Sequence, residues 1–392
     1  MIITYKYKLY NSKKNKHLLE QINISCWIYN HCISLNKRYY RLYKKSLNKF
    51  KLQKHLTKLK KLPKYSKWNK VGSQAIQDIT DRIEKGYKLF YKKEAKHSPN
   101  YKGRYKYKSF TLKQAGYKLL EDNQITINKR KYKYFKSRDI EGTIKLLTVK
   151  RDNLGNIFFC VICEAEISEL IQKTGKTAGI DFGSRTFLTL SDGTEKDNPQ
   201  YLKNSLIKLK ELQQSLSLKS KGSNNRRKAK YRVQKIHQKI FNQRTDYLFQ
   251  LAREFCLNYD ELYIEDLDLK SIIESKDDEN KKREKNFHRK ISDLSYGNFI
   301  KILEYYCSKT GKKLVKIDRW FPSSKTCSNC GWYNGELERG DTVFRCKSCE
   351  TEIDRDLNAA INILRVGTST LCENNYILNK EDSYDSIESH ML

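Results

Sequence analysis

Residues 327–360 read CSNCGWYNGELERGDTVFRCKSCETEIDRDLNAA. Two Cys-x-x-Cys knuckles, Cys327/Cys330 and Cys346/Cys349, are separated by 15 residues and followed at once by an acidic helix start. That spacing is a zinc pattern. Each knuckle presents two thiolates from one tight turn, and Gly331 supplies permissive backbone behind the first. Four thiolates close a tetrahedral shell and leave no open coordination position, so the expected Zn2+ is structural. Cys160-Val-Ile-Cys163 shares the knuckle spacing but lies in FFCVICEAE, a strand-like run in which residues three apart face opposite sides. No second pair accompanies it, and it is expected to be core. Cys26, Cys32, Cys256, Cys307 and Cys372 are scattered and take no role.

Three acids stand out on either side of the cysteines. Asp356 opens the helix of Asp354-Arg355-Asp356-Leu357-Asn358-Ala359-Ala360. Upstream, Asp181 ends an apolar strand in Gly179-Ile180-Asp181-Phe182-Gly183, and Glu265 ends another in Leu262-Tyr263-Ile264-Glu265-Asp266-Leu267. A carboxylate is costly to bury unless it meets a cation. Three on separate elements can converge on two hard divalent ions, and a Mg2+ pair about 3.5–4 Å apart activates water and stabilises the leaving oxygen in phosphodiester hydrolysis. Each acid also fits a plainer role. Asp181 suits a turn before glycine, Glu265 a solvated strand end, and Asp354 and Asp356 the positive end of a helix. Their order around the cysteines favours one shared site, with Asp266, Asp268 and Asp354 as weaker members.

Composition points to the partner. The 392 residues hold 79 Lys and Arg against 45 Asp and Glu, a net charge of +34, so a compact monomer repels itself and a polyanion relieves it. The 27 tyrosines interleaved with lysine suit phosphate neutralisation plus base stacking. No apolar run reaches about 18 residues, so no membrane span is expected, and the N-terminus lacks a signal-peptide core. An intracellular, cytoplasmic protein (nucleoid-associated in a bacterium) is expected, not a secreted one.

Along the chain, a short strand precedes helical spacing from Leu18 to about Lys61, and a second amphipathic helix carries Ile76, Ile79, Ile83, Tyr87 and Phe90. A basic loop spans 94–112, and alternating strands fill 113–168. Strand, glycine turn and strand follow at 177–195, then a helical pair over roughly 200–257. Residues 274–292 are expected to form a mobile loop, followed by a helix at 293–310 and, after the cysteines, a helix at 354–365.

GIDFG, IEDL, FPSSKTCSNCG, CKSCE and DRDLNAAINIL together resemble the TnpB proteins of bacterial insertion sequences, relatives of compact type V CRISPR effectors and of Fanzor proteins. SNNRRKAKYRVQKIHQKIFNQRTDYL, SQAIQDITDRIEKGYKLFYKK and PNYKGRYKYKSF extend the likeness over nearly the whole chain. The resemblance implies a multidomain α/β and α+β chain. A wedge-like β-barrel at 1–168 would hold a helical recognition insertion at about 15–95. A RuvC-type, RNase H-like nuclease would occupy 175–320 and 353–366, interrupted by a zinc ribbon at 321–352, with a disordered tail at 367–392. It puts an Asp-Glu-Asp triad on Asp181, Glu265 and Asp356, holding two Mg2+ (or Mn2+). It implies an element-derived guide RNA, double-stranded target DNA with a short adjacent motif, and the element's separate transposase as a functional partner.

Within that frame Arg226, Arg227, Lys228, Lys230 and Arg232 are candidate phosphate contacts, as are Lys102, Arg104, Tyr105 and Lys106. Gln74 and Gln77 are candidate readers of the adjacent motif, since an amide can pair bidentately with adenine. Solvent-facing side chains are the plainer reading of both sets. Three rival functions use parts of the same pattern: a strand-transferring transposase, a non-cleaving RNA-guided DNA-binding regulator, and a zinc-ribbon transcription factor. The last leaves both strand-borne acids unexplained.

Overall fold

The computed structural model describes residues 2–166, 171–183, 186–266, 295–338 and 340–373, and falls into two units, Met1–Glu166 and Ile167–Leu392. Among the described residues no helix is long and apolar enough to cross a membrane.

The first unit is a seven-stranded, wholly antiparallel sheet with helices inserted after its first strand. Its strands are β1 (Ile2–Leu9), β2 (Ser109–Leu112), β3 (Tyr117–Leu120), β4 (Gln124–Ile127), β5 (Arg130–Phe135), β6 (Thr143–Arg151) and β7 (Ile157–Glu164), ordered β2-β6-β7-β1-β5-β4-β3. In β1 the period of two is plain: Ile3, Tyr5, Tyr7 and Leu9 are buried and the residues between them face outward. Strand β7 is covered on both faces, which buries Cys160 and Cys163 as core.

Helices α1 (Asn15–Tyr43), α2 (Lys49–Leu59) and α3 (Ser73–Tyr91) follow β1, with a 3-10 helix at Pro63–Lys70. The helical spacing over 18–61 is thus two helices. Lys44 takes a left-handed φ of 51°, and Asn48 caps α2 by accepting from the Lys51 N–H at 2.9 Å.

The second unit is built on a five-stranded sheet of order β10-β9-β8-β11-β12. Strands β8 (Thr177–Asp181), β11 (Glu261–Glu265) and β12 (Lys313–Ile317) are parallel, while β9 (Leu188–Leu190) and β10 (Glu195–Lys196) add antiparallel hairpin strands. Helices α4 (Tyr201–Ser217), α5 (Asn224–Asn258) and α6 (Tyr296–Thr310) precede the small β13 (Val343–Arg345) and β14 (Glu352–Asp354) ribbon, and α7 (Arg355–Glu373) follows it.

Strand alternation decides which helix covers which face. Leu262 and Ile264 pack with Phe255 of α5 and Phe299 and Leu303 of α6, while Tyr263 between them packs with Ile363 of α7. Helix α7 approaches the sheet at backbone distance: a Cβ on Gly179 of β8 would lie 2.2 Å from the Ala360 carbonyl oxygen, and one on Gly367 2.1 Å from the Tyr263 ring. Two glycines therefore permit this packing.

Helix α7 also corrects the expected start of the tail at 367. Residues 367–373 are helical. The expected loop at 274–292 and the remainder of the tail, 374–392, lie outside the described residues.

Candidate metal centres and nucleic-acid surfaces

Parallel register brings two of the acids together. Ile180 of β8 is paired with Ile264 of β11, so Asp181 and Glu265, the last residues of these strands, stand side by side at one sheet edge. Asp356 reaches the same edge from α7: one of its carboxylate oxygens lies 3.3 Å from where a Gly183 Cβ would sit. All three are half-buried. Burial first, then the Asp356 and Glu265 carboxylates, push Asp181 up to about 7. Burial, then Asp266, pushes Glu265 up to about 7. The edge concentrates negative charge that neither acid relieves by an ion pair with a described cation, and such an edge fits hard divalent ions. Asp354 is spoken for as the cap of α7, accepting from the Asp356 N–H at 2.9 Å and the Leu357 N–H at 3.2 Å.

Tyr296, which the sequence reading passed over, belongs to the same edge. Its hydroxyl donates to the Gly183 carbonyl just past Asp181, and its ring stacks on Phe187 at 5.6 Å. Burial and then the nearby Asp181 and Asp356 carboxylates raise its phenol, so it stays a neutral donor.

The cysteines close a tighter site. Among the described residues Cys327, Cys330, Cys346 and Cys349 alone form a group of metal-ligating side chains whose ligand atoms all lie within 4.8 Å of one another. The Sγ atoms of Cys327 and Cys349 are 3.7 Å apart, and those of Cys330 and Cys346 3.5 Å. A regular tetrahedron with Zn–S of about 2.3 Å has edges of about 3.8 Å, so the four sulfurs fit Zn2+. Hydrogen bonding with Thr351 lowers the Cys349 thiol to about 6, toward the thiolate that binds metal.

Two buried asparagines bolt this site to the helix that carries Asp356. The Asn358 side chain accepts from the Ser328 N–H at 2.9 Å and donates to the Thr326 carbonyl at 2.8 Å, while Asn362 donates to the carbonyls of Ser323 and Thr326 at 2.8 and 2.6 Å. From the other side the Arg355 guanidinium donates to the Glu338 carbonyl at 2.9 Å. The signal for the asparagines was present in LNAAIN: two amides four residues apart on a helix otherwise buried among Ala and Ile.

Residues 160–276 match the family described as "Probable transposase", and residues 296–363 the family described as "Cas12f1-like, TNB domain". A Streptomyces pristinaespiralis protein named "Putative RNA-guided DNA endonuclease" is 31% identical over 320 residues, 80% of this chain and 76% of its own length. The chain belongs to the TnpB family. An Escherichia coli K12 relative, "Putative RNA-guided DNA endonuclease InsQ", is 29% identical over 76% of this chain and 75% of its own. A solved structure titled as the mini-RNA-guided endonuclease CRISPR-Cas_phi3 shares the fold, with a TM-score of 0.50 at 11% identity over 94% of this chain and 92% of that one.

The basic candidates of this TnpB-family chain divide by what already holds them. Arg226 is committed within the fold: it donates to the Leu216 and Lys219 carbonyls at 2.9 and 2.8 Å and so fastens the turn between α4 and α5. Arg227, Lys228, Lys230 and Arg232 are exposed along α5. Lys102 lies over the Tyr29 ring at 5.2 Å, and both its backbone groups are held by the Asn30 amide at 2.9 Å. Arg104, Tyr105 and Lys106 are exposed on that anchored loop, Tyr105 at 81%. On α3, Gln77 is exposed and Gln74 half-exposed.

Proposed function

We propose that this chain is an RNA-guided DNA endonuclease of a transposable element, cutting at the edge formed by Asp181, Glu265 and Asp356. The observation that carries it is the convergence of three half-buried carboxylates from β8, β11 and α7 on one sheet edge, beside a four-cysteine cluster fixed to the same helix. The strand order, antiparallel at β10-β9-β8 and parallel at β8-β11-β12, supports an RNase H-like, RuvC-type reading of this unit. The antiparallel sheet with three inserted helices supports the wedge-like reading of the first unit.

Asp181, Glu265 and Asp356 would hold two Mg2+ ions, which when bound activate a water and stabilise the leaving oxygen of a phosphodiester. The chain's own part is to keep the ligands in place. Sheet register fixes Asp181 beside Glu265, Tyr296 holds the backbone just after Asp181, and the cap from Asp354 and the bolts from Asn358 and Asn362 set the first turn of α7. Cys327, Cys330, Cys346 and Cys349 would hold one structural Zn2+. Base pairing between guide RNA and target would read sequence, leaving protein to read shape and backbone. Exposed Arg227, Lys228, Lys230 and Arg232 are the phosphate contacts favoured on α5, and Gln77 is better placed than Gln74 to read the adjacent DNA motif.

The test is cutting of a matched duplex by the chain purified with its RNA. Asp181→Ala is expected to abolish Mg2+-dependent cutting while target binding persists. Continued cutting by that variant, or joined element ends in place of cut products, would falsify the hydrolase reading. Metal analysis of the same protein is expected to give one Zn2+ per chain, retained in Asp181→Ala.

A further inference from the structure

The first unit carries a surface that neither metal site uses. Two adjoining cavities open along α1. One, of about 320 Å3, has Leu19, Ile24 and Trp27 as its apolar lining and Lys16, Lys67 and Arg104 as its cations. The other, of about 370 Å3, is lined by Lys13, Lys14, His17, Lys70 and Arg130. Lys16 and Glu20 line both. Glu20, the one acid in either lining, is already paired with Lys70 at 2.7 Å. No acidic side chain stands in the first turn of α1, so the positive end of this 29-residue helix adds to the field.

The frame around these cavities is fixed. Gln21 of α1 donates to the Lys70 carbonyl at 3.0 Å, Trp68 is buried beneath the segment carrying Lys67 and Lys70, and Arg151 donates to the Arg104 carbonyl. Against this rigid background Trp27 remains 49% exposed, between buried Cys26 and Ile28.

We propose that the paired cavities clamp an unpaired stretch of RNA, with an unstacked base on Trp27, its own phosphates on Lys16, Lys67 and Arg104 of the same cavity, and the next phosphates along the strand on Lys13, Lys14 and Arg130 of the adjoining one. A basic surface alone would take any polyanion. An indole and cations in one cavity, continued by a second cationic cavity along the same helix, match the alternation of base and phosphate along a single strand. A duplex offers its phosphates but keeps its base faces stacked. Of the two nucleic acids that the proposed function requires, the target arrives as duplex, and RNA is the one that presents splayed bases in loops and ends. The inference rests on that function for the source of the RNA; the clamp's chemistry does not.

The experiment is equilibrium binding of the full chain to a labelled unstructured RNA of about 12 nucleotides, with DNA strands and duplexes of equal length as comparisons. Trp27→Ala should weaken RNA binding about ten-fold while leaving duplex binding and the salt slope unchanged, and Trp27→Phe should restore most of the loss. Lys16→Ala with Lys67→Ala should lower the slope of log affinity on log salt by about 1.4. Wild-type RNA affinity in a Trp27→Ala protein with native circular dichroism overturns the clamp. Equal loss on duplex DNA reassigns the surface to general backbone binding, and equal loss on single-stranded DNA to the displaced strand; either outcome refutes the RNA assignment. The readout is independent of cutting, so a failed nuclease assay leaves this result standing, and the reverse.

Discussion

The two ends of strand β11 carry the same kind of side chain in opposite electrostatic states. Where β11 begins, Asp260 accepts from the Lys312 ammonium at 2.6 Å and from the Thr174 and Gly175 N–H groups at 3.0 and 2.7 Å, which hold its carboxyl well below the usual range. Glu261, beside it, is lowered by the Tyr263 hydroxyl at 2.7 Å and by Lys313 at 2.9 Å. Where β11 ends, burial pushes Glu265 up to about 7, and Asp181 on the next strand rises equally. One edge of the sheet neutralises its own acids and serves as scaffold. The other holds Asp181 and Glu265, which burial and neighbouring carboxylates raise more than any favourable contact lowers them, a cost in stability that makes sense where an outside cation is to be bound.

The largest way to break this contrast is to remove one oxygen charge at the unrelieved edge. Glu265→Gln keeps the shape and deletes a metal ligand, so cutting should fall by about 1000-fold or more, read as single-turnover cleavage in Mg2+. The same variant should melt a few degrees higher than wild type at pH 7 in magnesium-free buffer. A carboxyl whose folded pKa is raised binds more protons folded than unfolded between about pH 4.5 and 7, so it costs stability as pH rises through that window, and Gln removes the cost. A lower melting point together with lost cutting would mean that Glu265 is structural.

A second substitution sharpens the contrast by moving α7 and leaving every acid in place. Gly179→Ala puts a Cβ against the Ala360 carbonyl, and neither backbone can yield cheaply. About 3 kcal/mol of lost stability is expected in urea titration, with cutting impaired in any folded fraction because Asp356 rides on that helix. Wild-type stability would show that α7 lies further from β8 than the glycine contact implies.

How far the sequence reached follows from how local each feature is. The cysteine cluster was legible because each knuckle is a four-residue turn, and the strands of one small β-ribbon run directly into and out of the second. The acids were legible as types, each ending an apolar strand or opening a helix. Their meeting was expected only from their order and the family resemblance; the means of it was not legible, since it depends on the register that pairs Ile180 with Ile264 and on a glycine contact between α7 and β8. Tyr296 was invisible because only the fold brings its hydroxyl to Gly183, 113 positions away. Arg226 looked like its cationic neighbours, yet its place one turn into α5, facing the end of α4, commits it to two carbonyls. The break at Lys44 was missed because Lys, Asn and Tyr satisfy a helical period without specifying one. Asn48 was the cap that could have revealed it.

The smallest effect tests the self-neutralised end of β11. Asp260 is held below its unfolded value of about 3.9, so its contribution is fully present above that value and is lost as pH falls below it. Asp260→Asn should therefore lower the melting temperature by several degrees at pH 7, because Lys312, its side chain 3% exposed, then loses its carboxylate partner and meets only neutral acceptors there, the Asn amide and the Gln172 carbonyl at 3.1 Å. It should also flatten the fall of melting temperature below about pH 4 relative to wild type. At temperatures where the variant stays folded, Mg2+-dependent cutting should be unchanged, since Asp260 sits at the opposite end of β11 from Glu265. A variant that melts normally but cuts poorly would erase the division between scaffold edge and working edge, and place a functional role at the end of β11 where the charges are already satisfied.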